Sequence, residues 1–212
     1  MRVVIAEDHV LLADGISRLL AAYHHEVVAI VDTGPGLIAA AEAHRPDVAV
    51  VDIRLPPTFT DEGLRAAVEI RRRTKVPILV LSQYAEAAYA RELLTTGGGT
   101  GYLIKDRISR PREFIEALVT VATGGTVLDP EVVSQMFTRD HARQALESLT
   151  GREHDVLKRM AEGLSNAAIS AALFITEATV EKHINSIFAK LGLTPCSEDH
   201  RRVRAVLTYL NL

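Results

Sequence analysis

Asp47-Val48-Ala49-Val50-Val51-Asp52 is a continuous apolar run closed by an acid. A strand that is apolar on both faces has to be covered on both faces, which is the situation of a parallel sheet. The stretches on either side repeat the theme. Upstream, Val3-Val4-Ile5-Ala6 is a short apolar run ending in Glu7-Asp8, and Leu11, Leu12, Ile16, Leu19 and Leu20 then recur at helical spacing. Val27 to Val31 is β-branched and strand-like, and Pro35 to His44 is alanine-rich and helix-like. Downstream, residues 61–73 read as helix, Pro77 to Ser82 as strand, 85–95 as helix, 101–104 as strand and 111–123 as helix. Strands alternating with helices of this length predict an α/β doubly wound, five-stranded parallel sheet.

Composition bounds the rest. At about 150 residues per domain, 212 residues allow one large or two small domains. Apolar residues make up 48% and charged residues 24%, values of a globular protein rather than a disordered or fibrous one. The longest uncharged run, Gly163 to Thr176, has 14 residues and is too short to span a bilayer. The N-terminus turns acidic at Glu7-Asp8, unlike a secretory signal. The single cysteine, Cys196, excludes an intrachain disulfide and a cysteine-cluster metal site. A reduced, cytoplasmic, soluble protein is expected. Residues 1–144 carry 16 Lys+Arg against 19 Asp+Glu, a net of −3, and residues 145–212 carry 8 against 8. Neither part is a basic body that announces nucleic-acid binding by charge alone.

Parallel α/β sheets place their ligand sites at the carboxyl ends of the strands. Here those ends carry Glu7-Asp8, Asp52 and Ser82, with Lys105 just past the fifth strand. Three close carboxylates repel one another unless a cation sits among them, and hard oxygen donors at this density suit Mg²⁺. One carboxylate can then act as nucleophile toward a phosphoryl group, with Ser82 and Lys105 binding phosphoryl oxygens. A lone acid at a strand end is usually a helix cap or loop acid, but five chemically matched positions at successive strand ends are far less ordinary. Tyr102, taken alone, reads as a sheet-edge aromatic. Arg71-Arg72-Arg73 reads as a solvated helix end.

Glu7-Asp8, Asp52, Ser82 and the run Gly101-Tyr102-Leu103-Ile104-Lys105 resemble the receiver domain of two-component response regulators, over residues 1–125. The resemblance implies a flavodoxin-like fold and a switch rather than an enzyme. It implies phosphoryl transfer from a histidine kinase to Asp52, and Mg²⁺ held by Glu7, Asp8 and Asp52. Ser82 and Tyr102 would reorient on phosphorylation, with Lys105 as the phosphate-side ammonium. The sequence departs from the pattern at Glu7, where Asp is commoner. The loop Leu55 to Gly63 is about two residues longer than the pattern, and Gly97-Gly98-Gly99 makes the next loop about one residue longer and is expected to be flexible.

Residues 126–146 read as a connector with a short helix starting at Asp129-Pro130. Beyond it, Thr150-Gly151-Arg152-Glu153 has the capping-box spacing. Val156, Leu157, Met160 and Ala161 then form an apolar stripe, and Ser165 and Thr176 are candidate caps of two further helices joined by a turn at Phe174-Ile175. A last helix is expected from Glu198 to Leu210. Two short helices joined by a tight turn place the second in a major groove. On Glu177–Lys190, stepping 100° per residue from Val180, the polar arc holds Glu181, Lys182, Asn185 and Ser186, residue types that can read base edges. Thr179, His183 and Lys190 stand where phosphate contacts are plausible. An ordinary solvated helix face is the plainer reading of the same composition.

Leu149-Thr150-Gly151-Arg152-Glu153, Gly163-Leu164-Ser165-Asn166, Thr179-Val180-Glu181-Lys182-His183 and Lys190-Leu191-Gly192-Leu193 resemble the LuxR-type helix-turn-helix domain over residues 147–212. That resemblance makes Glu177–Lys190 the recognition helix. It gives the last helix, with Val203, Val206, Leu207 and Leu210, a role in dimerisation. The whole chain thus resembles the NarL/FixJ class of response regulators, implying a histidine kinase, operator DNA with two half-sites and a second copy of the chain as partners. Two other readings remain: an Asp-nucleophile phosphatase, disfavoured because Arg54 stands where a second acid belongs, and a DNA-binding regulator that works without phosphorylation.

Overall fold

The computed structural model describes residues 1–193 and 201–210, apart from the side chains of 138–142. Cys196 and the expected helix start at Glu198 lie outside the described residues. The chain divides into two compact units, Met1–Met136 and Phe137–Leu212.

In the first unit, strands β1 (Arg2–Ala6), β2 (Glu26–Val31), β3 (Val48–Asp52), β4 (Ile78–Ser82) and β5 (Thr100–Ile104) alternate with helices α1 (Val10–Ala22), α2 (Gly34–His44), α3 (Glu62–Arg73), α4 (Ala87–Leu94) and α5 (Pro111–Ala122). With a further strand, β6 (Thr126–Leu128), the sheet order is β2-β1-β3-β4-β5-β6, with every pairing parallel. The expected five-stranded sheet is therefore a six-stranded one. The sixth strand, β6 (Thr126–Leu128), pairs Thr100 with Thr126 and Tyr102 with Leu128. Three residues after Gly124-Gly125 are too few for a readable alternation, so this strand is invisible as sequence pattern. Residues 126–146 thus hold a strand and most of α6 (Pro130–Glu147), an 18-residue helix rather than a short one.

Both sheet faces are buried, as the apolar runs require. One face packs Val4, Ala49, Val51 and Val80 against Leu37, Leu64 and Ile70. The other packs Val3, Ile5, Val50 and Leu79 against Ile16, Leu20, Phe114 and Leu118. The carboxyl ends of β1, β3 and β4 therefore reach the same edge of a rigid slab. Helix α3 approaches that edge closely: a Cβ on Gly63 would lie 1.7 Å from the Asp52 carbonyl oxygen, so no side chain fits there.

Arg71 corrects the reading of a solvated helix end. It is 6% exposed, and its guanidinium donates to the carbonyl oxygens of Lys75, Val76, Thr96 and Gly98. The three-glycine loop is correspondingly pinned rather than free. Its Gly99 N–H donates to the carbonyls of Gly124 and Gly125, and a Cβ on Gly98 would meet the Gly124 oxygen at 2.7 Å. Gly98 thus lets the Gly124 carbonyl approach, and the Gly98 carbonyl accepts from the buried Arg71 guanidinium.

The second unit contains α7 (Gly151–Ala161), α8 (Asn166–Leu173), α9 (Glu177–Lys190) and α10 (Arg201–Leu210). Thr150, Ser165 and Thr176 cap α7, α8 and α9 through their side chains, and Thr150 with Glu153 forms a complete capping box. Val156, Leu157, Met160, Ile169, Val180, Ile184, Ile187, Phe188 and Ala205 make its core.

Candidate functional site

At the carboxyl edge of the sheet, Glu7 and Asp52 are almost wholly buried, with side chains 1% and 7% exposed. Lys105 stands between them, its Nζ 2.8 Å from Asp52 Oδ2 and 2.9 Å from Glu7 Oε2. Burial works against the Lys105 charge, but hydrogen bonds and attraction from Asp52 and Glu7 outweigh it, and its pKa lies above the ordinary lysine value. The buried Glu7 Oε2 is met by that ammonium and by no other polar group among the described residues. The other Glu7 oxygen faces His9, whose Nδ1 lies 3.1 Å from Glu7 Oε1 and 3.2 Å from Asp8 Oδ1. The Arg54 backbone N–H approaches Asp52 Oδ1 at 3.4 Å.

Glu7, Asp8, His9 and Asp52 each offer a ligand atom within 4.8 Å of the others. Buried carboxylates outnumber the one ammonium among them, and all of them are hard oxygen donors. Those features fit a small divalent cation. A hollow of about 390 Å³ lined by Glu7, Asp8, Val10, Ala13, Ile30 and Asp32 adjoins the acids. A larger one of about 710 Å³ lies at the opposite strand ends, among Arg45, Asp47, Lys75 and Pro77, and holds none of these groups.

Ser82 ends β4 and is 2% exposed. Its Oγ accepts from the Tyr84 N–H at 3.3 Å, and the Tyr84 carbonyl accepts from the Tyr102 hydroxyl at 3.0 Å. Tyr102 is fully buried, and desolvation pushes its phenol up to about 12. A hydroxyl in the pocket and an aromatic inside the sheet are thus joined through one residue. Arg54 bridges to Glu86 at 2.9 Å and lies over the Tyr84 ring.

In the second unit, Glu181, Lys182 and Asn185 are exposed on α9. Thr179 is half-buried and its hydroxyl lies 2.8 Å from that of the cap Thr176; His183 is half-buried. Ser186 and Lys190 are turned away from that exposed arc. The Ser186 hydroxyl donates to Glu153 Oε1 at 2.6 Å, and Lys190 Nζ donates to Glu153 Oε2 at 2.7 Å and to the Ser148 carbonyl at 3.0 Å. On α10, Val203, Leu207 and Leu210 are exposed, while Val206 is half-buried against the core. His9, Arg54 and Glu153 are the groups that sequence spacing did not single out as site residues. For Glu153 the capping-box pattern was a signal of its position, though not of its partners.

Comparison with known proteins matches both units. Residues 3–118 match the response regulator receiver domain, and residues 147–198 match the luxR family of bacterial regulatory proteins. The chain is 35% identical to a nitrate/nitrite response regulator protein homolog of Haemophilus influenzae, over 99% of this chain and 96% of that one. It is 32% identical to the transcriptional regulatory protein DegU of Brevibacillus brevis, over 91% and 88%. Among solved structures, the RcsB response regulator of Salmonella typhimurium superposes with a TM-score of 0.63 at 23% identity, over 100% of this chain and 98% of that one, a likeness of fold.

Proposed function

The chain belongs to the response regulators that join a receiver domain to a luxR-type DNA-binding domain, and from that premise we propose that phosphoryl transfer from a histidine kinase to Asp52 switches its action on transcription. The observation that carries this reading is the clasp of Lys105 on two buried carboxylates at the strand edge. A carboxylate with one oxygen held by an ammonium, and the other met only by the long contact from the Arg54 N–H at 3.4 Å, is held in one orientation for attack on a phosphoryl group. Asp52 forms the new O–P bond, the kinase P–N bond breaks, and the kinase imidazole keeps the electron pair and takes up a proton. Mg²⁺ held by Glu7, Asp8 and Asp52 would offset the charge on the phosphoryl oxygens. Lys105 then transfers its hydrogen bond from Asp52 to a phosphoryl oxygen.

The coupling runs through Ser82. A phosphoryl oxygen that captures its hydroxyl withdraws it from the Tyr84 N–H, and Tyr84 in turn holds Tyr102 by its carbonyl. The loop after β4 is therefore the element that phosphorylation biases. Converting a 1:99 population to 99:1 takes about 5.5 kcal/mol of differential binding, within reach of a dianion clamped by an ammonium and a hydroxyl in a buried site.

Two copies then read DNA half-sites about 10 base pairs apart, or a multiple, through α9, with the exposed α10 residues Val203, Leu207 and Leu210 as the dimer surface. Glu181, Lys182 and Asn185 are the base readers in this scheme, and Thr179 and His183 the backbone contacts. Ser186 and Lys190 serve DNA through Glu153, which holds α9 in place. Among the described residues no helix is long and apolar enough to cross a membrane, and we place the protein in the cytoplasm with its DNA.

Sedimentation with Mg²⁺ and beryllofluoride, an acyl-phosphate mimic, tests the reading. Monomer is expected to convert to dimer; a wild-type protein that stays unchanged would point instead to a regulator that works without phosphorylation. On DNA, Lys182→Ala is expected to weaken operator binding by about 1–3 kcal/mol while leaving random-sequence DNA nearly unaffected. Equal losses on both would make Lys182 a phosphate contact only.

A further inference from the structure

We propose that the buried ion pair of Asp129 with Arg107 relays the state of the phosphoacceptor pocket to the start of α6, the helix that carries the chain from the first unit into the second. The inference rests on the reading of Asp52 as the phosphoacceptor. Asp129 is fully buried. Its N–H donates to the Tyr102 carbonyl at 2.8 Å, and its Oδ2 accepts from the Ile104 N–H at 3.3 Å, just past the end of the β5–β6 pairing. Arg107 grips the same carboxylate with two donors, Nε to Oδ2 at 2.8 Å and Nη2 to Oδ1 at 3.1 Å. The next acid, Glu113, lies 3.9 Å from Arg107 and is exposed, so Asp129 holds the guanidinium. Asp129 is therefore bonded to residues 102, 104 and 107, and Lys105 lies inside that span.

The same residue begins α6. Its Oδ1 accepts from the Glu131 N–H at 3.1 Å, and its carbonyl accepts from the Val133 N–H at 3.0 Å. Val132 is fully buried in the same core as Tyr102, and Arg91 of α4 donates to the Met136 carbonyl at 3.1 Å. Burial raises the Asp129 carboxyl, but the bonds from Arg107 and from the Glu131 and Ile104 N–H groups outweigh it and hold it below the ordinary aspartate value. Separating a buried anion from its partner leaves a charge uncompensated, which is strongly unfavourable, so the pair moves as a unit. Lys105 and Arg107 belong to one 3₁₀ turn, Lys105–Ser109. When Lys105 turns from Asp52 to a phosphoryl oxygen and Tyr102 repacks, residues 102–107 shift and Asp129 follows. The first turns of α6 then lose the seat they have at Val132.

Hydrogen exchange at the amides of residues 131–136 tests this in the full chain with Mg²⁺, with and without beryllofluoride, in wild type, Asp129→Asn and Arg107→Gln. The quantity scored is the ratio of the two rates, which a loss of stability common to both states leaves unchanged. Asparagine still caps a helix, and the freed guanidinium, with its side chain 26% exposed, can reach water. Arg107→Gln leaves the cap itself intact. In wild type beryllofluoride is expected to speed exchange by at least about fivefold, the low end for coupling between sites, and in both variants by less than about twofold. Uptake of beryllofluoride, read by fluorine NMR, is expected to be the same in all three. A wild-type ratio retained in either variant overturns the proposal. So does a ratio lost together with uptake, which would mean that the pair shapes the pocket and relays nothing. Uptake in wild type without a change at residues 131–136 overturns it too, and leaves the phosphoacceptor reading standing. Wild-type protein that takes up no beryllofluoride is the separate result that would remove that reading, and the relay with it.

Discussion

Asp52→Asn is expected to abolish covalent labelling by acetyl phosphate while leaving the receiver folded. An amide cannot form the acyl phosphate, so the loss is complete rather than graded. The fold survives because the amide has the same shape and its oxygen still accepts from Lys105, which also keeps Glu7 at 2.9 Å. The variant also removes one of two buried negative charges beside a single ammonium, which relieves repulsion in the pocket. Its thermal midpoint is therefore expected within a few degrees of wild type, a change of about 1 kcal/mol or less. Phosphoryl labelling by mass spectrometry and thermal melting on the same preparation separate the two effects. Label that persists on the intact chain would place the acceptor elsewhere, with Asp8, 18% exposed at the rim, the first position to map. Beryllofluoride is likewise expected to leave this variant monomeric.

The acidic pocket was legible in the sequence for a definite reason. A strand buried on both faces reads as an apolar run, and its polar terminator marks the sheet edge with no further information. Glu7, Asp52, Ser82 and Lys105 all terminate or follow such runs, and chain connectivity alone brings them to one edge. What was not legible depends on choices between competing partners. Nothing in Arg71-Arg72-Arg73 tells which guanidinium turns inward; that depends on four carbonyls from two distant loops. Strand β6 is held by its pairing with β5 rather than by its own alternation. Ser186 and Lys190 fall at the flank of the polar arc of α9, where 100° steps cannot decide between solvent and the neighbouring helix. Glu153 decides it, by offering a buried carboxylate to both.

That carboxylate sets the second large effect: Glu153→Gln is expected to destabilise the DNA-binding unit by about 3 kcal/mol at neutral pH. Glu153 is 4% exposed and ties two helices together. Its Oε2 accepts from the Thr150 N–H and from Lys190 Nζ, both at 2.7 Å, and its Oε1 from the Ser186 hydroxyl at 2.6 Å. Thr150 begins α7, whereas Ser186 and Lys190 lie on α9, so the start of one helix is fastened to the far half of the other. Burial raises the carboxyl pKa, but the bonds from Lys190, Ser186 and Thr150 prevail and pull it from the ordinary 4.5 to about 2. A depressed folded-state value means that the ionised form is the one folding favours. Its contribution is fully present above about pH 4.5 and is lost as the pH falls toward 2. The gap between wild type and Glu153→Gln should therefore be widest near neutrality and close on acidification through that window. Hydrogen exchange at the α7 and α9 amides reads it in the full chain without interference from the receiver. A gap independent of pH would mean that packing, not charge, holds α9. If α9 reads bases through Glu181, Lys182 and Asn185 as proposed, operator affinity should fall with the same variant even where the helices remain formed, since a helix free to pivot loses its register on the bases.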